Sequence, residues 1–168
     1  MVSPYPDVRW GNESNPLRRG AVAFARTPIG SWTLRHTAGL DRALLRASRG
    51  RLTVLGPIGA PTVLVTTIGR HSGERRTSPL LYHREDPDIF VVGSNFGQGH
   101  HPAWTWNLLS DSRCWVTIGA VEIASRAKLL DGAERERVYG AFEELVDVYT
   151  TYRGRTDREI RVFRLTAD

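Results

Sequence analysis

The sequence predicts a small α+β protein, mainly β, built as a barrel with helices on its outside. Three observations point there. Short runs rich in β-branched and aromatic residues recur between turn signals. Helical segments stand at the front, the middle and near the end, without the regular alternation that a doubly wound sheet needs. With 168 residues, 40% apolar and 24% charged, the chain has the balance of one domain with a real core.

Residues 1–17 are rich in Pro, Asn and Ser and read as a disordered tail, leaving 18–168 as a single domain. The opening "MVSPYPDVRWGNESNPLRRG" has no apolar stretch behind a basic start, so a secretory signal is not expected. From Arg18 to Arg51 the pattern is helical. Trp32, Leu40, Leu44 and Leu45 fall among His36, Arg35, Arg42, Arg46 and Arg49, with Gly39 as an interruption. A basic amphipathic helix of this kind covers its own core or lies on an anionic membrane, and both readings stay open.

Gly56, Pro57, Gly59 and Pro61 mark a turn. "TVLVTTI" reads as a buried strand and "RRTSPLLYHRE" as a second, in which Pro79 calls for an edge or a bulge. "DIFVVGS" is a third. After "NFGQGHH", Pro102 suits the first turn of a short helix, "PAWTWNLLSD". "RCWVTIGA" and "VEIASRAKLLD" form a strand pair around Gly119. Asp131 and Glu134 resemble a capping box, opening a helix with a stripe of Val138, Phe142, Leu145, Val146 and Tyr149. "REIRVFRLT" closes the chain as a strand.

Much chemistry is excluded. Of 23 lysines and arginines only Lys128 is a lysine, and no glycine loop precedes it, so neither Schiff-base nor P-loop chemistry is expected. Neither G-x-S-x-G nor G-x-G-x-x-G occurs. His100 and His101 are adjacent and lack Cys or carboxylate neighbours at ligand spacing, so no metal is expected. The arginines are spread along the chain without a nucleic-acid-binding signature, so no nucleic acid is expected despite a net charge of +5. Cys114 is the sole cysteine, which fits a reducing, cytoplasmic setting.

The stretch "TTIGRHSGERRTSPLLY" remains. Successive N–H groups in a glycine turn make an anion-binding concavity, and arginine forks add bidentate hydrogen bonds to phosphate or carboxylate. A solvated hairpin tip explains the same residues without function.

With "VVGSNFGQGHHPAWTWNLLSD" it forms a combined pattern, TTxGRxSGxxRxxPL, a strand ending in SN, then HPxWxxNL. This pattern resembles the deazaflavin-dependent nitroreductase family, which also holds the quinone reductases dependent on reduced coenzyme F420. The resemblance runs from about Arg26 to the C-terminus. It implies a split β-barrel of the FMN-binding type and reduced coenzyme F420 as cofactor. It also implies that Arg70, His71, Ser72, Gly73 and Arg76 hold the cofactor's phosphate and glutamate tail. Thr77, Ser78, Pro79, Leu80 and Leu81 would lie along the cofactor, and Ser94 and Asn95 beside its ring. Ala103, Trp104, Thr105, Trp106 and Asn107 would form the pocket wall, although core packing also explains Trp104. Ser94, Tyr149 and Tyr152 are the candidate catalytic residues, with a packed helix end as the alternative for both tyrosines.

The implied reaction is hydride transfer to a small apolar, electron-poor acceptor: a quinone, an activated enone or a nitroaromatic. A non-catalytic F420 carrier and an FMN-binding split barrel are the alternatives. The basic N-terminal helix leaves room for weak peripheral contact at the inner face of the cell membrane. Three departures from the family bear on the acceptor. His71 stands where lysine is usual. Asn95 and Phe96 replace the lysine and glycine of the nitro-activating member. Of that member's later tyrosines, the third has no counterpart after Tyr149 and Tyr152. The sequence leaves the oligomeric state open.

Overall fold

The computed structural model describes residues 3–6, 27 and 61–168; the basic helix expected over 18–51 and the turn cluster before Pro61 lie outside them. Six antiparallel strands close into a barrel in the order β1-β2-β3-β6-β5-β4. They are β1 (Thr62–Ile68), β2 (Arg75–Glu85), β3 (Asp88–Val92), β4 (Arg113–Ile118), β5 (Val121–Leu129) and β6 (Val162–Ala167). Helix α1 (Ala103–Ser110) joins β3 to β4, and α2 (Gly132–Leu145) with α3 (Val148–Arg153) joins β5 to β6. The mainly-β barrel with flanking helices is as the sequence predicts.

Strand alternation divides the apolar residues between two cores. Val63, Val65, Ile89, Val91, Cys114, Val116, Ile118, Phe163 and Leu165 fill the barrel. Phe90, Val92 and Val162 point outward and bury against Val138, Tyr139, Phe142, Tyr149 and Tyr152 of α2 and α3. The barrel core also takes in Trp104 and Leu108 of α1 and Tyr5 near the N-terminus. Tyr5 is 1% exposed, and its hydroxyl lies 2.9 Å from Ser125 Oγ, while Ser3 Oγ donates to Pro87 O at 3.0 Å. Within the segment read as a disordered tail, one large aromatic thus gains a buried site with a partner for its polar tip.

Two elements depart from their expected form. The stripe beginning at Val138 spans two helices, because Val146 is extended (φ −148°, ψ 108°). Tyr139 Oη bridges the break, donating to Tyr149 O at 2.9 Å. Asp131 does stand at the N-terminus of α2, but its side chain makes no cap bond, and the Glu134 carboxylate goes to Arg164 instead.

The sheet is split at β2. This strand pairs with β1 over Arg75–Leu81 and with β3 only over Tyr82–Glu85. Tyr82 N–H donates to Pro61 O on the β1 side at 3.1 Å. By alternation, the N–H positions at 77, 79 and 81 face away from β1. Pro79 thus occupies an edge position where its missing N–H costs no ladder bond to β1.

Candidate functional site

The β1–β2 turn is a tight loop built on its own backbone. Gly69 N–H donates to Glu74 O at 2.8 Å and Gly73 N–H to Gly69 O at 2.7 Å. Gly73 has φ +68°, the left-handed region that favours glycine. A Cβ at Gly69 would lie 2.6 Å from Ser72 Oγ and 3.3 Å from Glu74 O, so a side chain there would push the Ser72 hydroxyl off Glu74 N–H. Asn107 of α1 fixes the loop from outside. Its Oδ1 accepts from Arg70 N–H at 3.1 Å, and its Nδ2 donates to Thr67 Oγ1 at 3.0 Å. The two sequence blocks that carry the family resemblance thus meet in space. Asn107 is buried, with its amide turned to the protein on both sides.

The basic side chains of the turn divide. Arg76 pairs with Glu74 at 2.7 Å, and Arg75 stacks on Trp115 at 3.7 Å and approaches Glu122 at 3.6 Å. The Arg70 guanidinium has no carboxylate partner among the described residues and lies 5.2 Å from the Trp106 ring. His71, Ser72 and Gly73 are exposed beside it. Thr77, Ser78, Pro79, Leu80 and Leu81 are half-buried along the free edge of β2, and Thr77 Oγ1 lies 2.9 Å from Thr66 Oγ1.

Helix α1 shows two faces. Trp104, Thr105 and Asn107 are buried, and Trp104 packs on Phe163 with centroids 5.6 Å apart, as the core-packing reading expects. Ala103 and Trp106 are exposed. Arg161 stacks on Trp106 at 3.7 Å, and its Nη1 donates to Thr105 Oγ1 at 3.2 Å. His101 meets the same ring edge-on at 5.6 Å. Burial, then the charges of Arg161 and Arg158, holds the His101 imidazole below its ordinary pKa. Its Nδ1 lies 3.2 Å from Arg158 Nη1 and accepts there, which leaves the ring proton on Nε2.

Beyond β3 the backbone makes a second tight turn. Ser94 is buried, and Asn95 (φ 47°) and Phe96 (φ 57°) are both left-handed, a conformation that costs a non-glycine residue about 1–2 kcal/mol. Asn95 Nδ2 donates to Gln98 Oε1 at 3.1 Å and to His100 O at 3.0 Å, so this side chain serves the turn. The Phe96 ring packs edge-on against Tyr152 at 5.8 Å, and Tyr152 against Tyr149 at 5.9 Å. Tyr149 lies fully inside the outer core, and burial raises its phenol above the ordinary value. Of the candidate catalytic residues, Tyr152 thus comes close to the turn that carries Ser94, with Tyr149 behind it.

Sequence reasoning missed His101, Arg158 and Arg161. The last two precede β6, which begins at Val162 rather than at Arg158 as its pattern implies. The available signal was spacing: arginines at 158, 161 and 164 recur every third residue, which no flat strand face does.

Contacts run unbroken from Arg70 through Trp106, His101 and Arg158 to Ser94. A guanidinium without a carboxylate partner among the described residues, a free strand edge and an aromatic wall at one end of the barrel fit a long ligand, anionic at one end and aromatic at the other. A family model described as F420H(2)-dependent quinone reductase matches residues 40–167. The chain belongs to that family. It is therefore an oxidoreductase whose cofactor is reduced coenzyme F420, with an apolar acceptor implied. It is similar to an F420H(2)-dependent quinone reductase of Mycobacterium tuberculosis, at 28% identity over 147 residues, covering 82% of this chain and 97% of the relative. A solved reductase dependent on reduced F420 matches at 34% identity and a TM-score of 0.58, over 62% of this chain and 93% of its own. A structure described as a domain-swapped dimer matches at 30% identity and a TM-score of 0.61, over 83% and 99%. Among the described residues, no helix is long and apolar enough to cross a membrane.

Proposed function

We propose that this reductase holds the acidic tail of reduced coenzyme F420 at Arg70, His71, Ser72, Gly73 and Arg76. Thr77–Leu81 along the free edge of β2 would hold the body of the cofactor, and Ser94 and Asn95 would hold its ring. The observation that carries this reading is Arg70, a guanidinium without an acidic partner among the described residues, on a loop whose backbone Asn107 fixes. Unlike Arg76, which pairs with Glu74, it can answer a carboxylate or phosphate with a charge-assisted bond without first leaving an acidic partner among the described residues.

When bound, the cofactor supplies a hydride; the protein positions, orients and excludes water. Phe96 and Tyr152 supply an apolar wall, which supports a quinone, an activated enone or a nitroaromatic as acceptor. Reduction adds one hydride and one proton to that acceptor. The Ser94 hydroxyl or the Tyr152 phenol hydrogen-bonds the oxygen that gains charge and hands over the proton or steadies the oxygen while water does. Tyr149, whose pKa burial raises, stays neutral and backs Tyr152 from the core side. Asn107, Trp104 and Thr105 act by shaping the wall.

Purified protein mixed with reduced F420 and a panel of quinones, enones and nitro compounds tests the proposal. Oxidation of the cofactor with at least one acceptor, menadione first, is expected. Quenched cofactor fluorescence without turnover would favour a carrier, and a yellow protein with bound flavin would favour FMN. Tyr152→Phe lowers kcat more than cofactor affinity; equal loss in both would make it a packing residue. The proposal extends to a cytoplasmic location without nucleic-acid partners, and to weak contact between the basic segment 18–51 and anionic membranes. Failure to pellet with anionic vesicles at low salt would dismiss that contact.

A further inference from the structure

We propose that Arg158 is a positioning residue for the reductase. Its guanidinium locks the Ser94–Gln98 turn, and through that turn it aims the Ser94 hydroxyl and the Phe96 ring. The inference rests on the function proposed above.

One side chain holds both ends of the turn. Arg158 Nε donates to Gln98 O at 2.7 Å. Arg158 Nη2 donates to Ser94 O at 2.6 Å and to Gly93 O at 3.2 Å. Arg158 Nη1 lies 3.2 Å from His101 Nδ1, the residue that leads into α1. Within the turn, Gly97 N–H donates to Ser94 O at 3.0 Å and Gln98 N–H to Asn95 O at 3.1 Å. These local bonds must hold two left-handed non-glycine residues, Asn95 and Phe96, a conformation that persists only where its surroundings over-determine it. Arg158, 60 to 65 residues away in sequence, supplies that external constraint.

The geometry calls for arginine specifically. The accepting carbonyls stand at opposite ends of the turn, and a planar fork reaches both while a single ammonium does not. Arg161 does a different job, since it stacks on Trp106 and bonds Thr105. Arg158 forms no carboxylate pair among the described residues, and its donors go to the turn and to His101. Ser94, at the end of β3, and Phe96, packed on Tyr152, are the groups this clamp orients.

The test compares Arg158→Ala and Arg158→Lys with the wild type by three readouts. Amide exchange in cofactor-free protein should rise ~tenfold or more in a peptide covering 93–101, while β1 and the β4–β5 hairpin exchange as in the wild type. Turnover should fall ~tenfold or more while the dissociation constant for F420, read by fluorescence quenching, changes less than ~threefold. Millimolar guanidinium should restore part of the turnover of Arg158→Ala, and Arg158→Lys should stay impaired. Unchanged exchange over 93–101, unchanged turnover in both variants, or faster exchange spread over the whole barrel would overturn the proposal. If Arg158→Ala fails to fold, Arg158→Lys carries the same comparisons. A wild type that turns over no acceptor would defeat the reductase reading, and the exchange data alone would then decide the clamp.

Discussion

The β1–β2 turn and the Ser94–Gln98 turn lie at the same end of the barrel and are held in opposite ways. The first presents exposed Arg70, His71 and Arg76 on a backbone closed by its own glycines. The second is half-buried, carries left-handed Asn95 and Phe96, and depends on an arginine from the far end of the chain. One turn offers charge to a ligand; the other offers shape. Charge can sit on an exposed loop, braced at one backbone N–H by Asn107, because a fork tolerates small displacements, whereas a reacting ring needs a fixed neighbour.

The comparison breaks first at the glycines. Gly97→Ala would set a Cβ 2.8 Å from Arg155 Cβ and 2.9 Å from Tyr152 O, at φ +73°. The expected loss is about 2–3 kcal/mol of stability, with turnover reduced. Gly73→Ala, at φ +68° with nothing within 4 Å, costs only the left-handed penalty of about 1 kcal/mol. Denaturant midpoints for the pair decide it, and equal losses would erase the distinction.

Asn107→Ala should cost about 2 kcal/mol, since one buried and one part-buried hydrogen bond vanish. It should also weaken F420 binding without removing a charge from the turn. Unchanged affinity would mean that the loop holds its shape unaided.

Alkaline titration separates the regions again. Burial pushes Tyr139 up to about 12 and Tyr149 above its ordinary value, while unfolded tyrosine ionises near ~10. The unfolded chain therefore loses protons first as pH rises. The stability these phenols contribute is present below about pH 10 and is lost as pH climbs toward 12. Thermal melts across that window should show Tm falling, less steeply in Tyr139→Phe and unchanged in slope in Arg70→Ala.

The smallest effect belongs to Arg76. Its exposed pair with Glu74 must open before it serves a ligand, so Arg76→Ala should cost about 0.5–1 kcal/mol of cofactor affinity. Glu74→Gln should gain less than about 0.5 kcal/mol, and raised salt should remove both effects.

These two regions also mark how far the sequence could be read. Strands, hairpins and the basic turn are local patterns, and five of the six strands lie where alternation and turn residues put them, while β6 begins at Val162, four residues later than its pattern implies. The free edge at Pro79 was legible because proline advertises a missing donor. Tyr5 was not, since a lone aromatic in a Pro- and Asn-rich segment carries no period. The break at Val146 was hidden by a stripe that continues across it. The Arg158 clamp was out of reach, because it joins residues 60 or more apart and its segment mimics a strand.

Calorimetric titration of F420 into the wild type and Arg70→Ala tests the central claim most directly. The account predicts measurable binding to the wild type and a ten- to hundredfold loss in the variant, about 1.5–3 kcal/mol for one charge-assisted bond. Equal affinity in the two proteins, or no heat with the wild type across several temperatures and buffers, would contradict it.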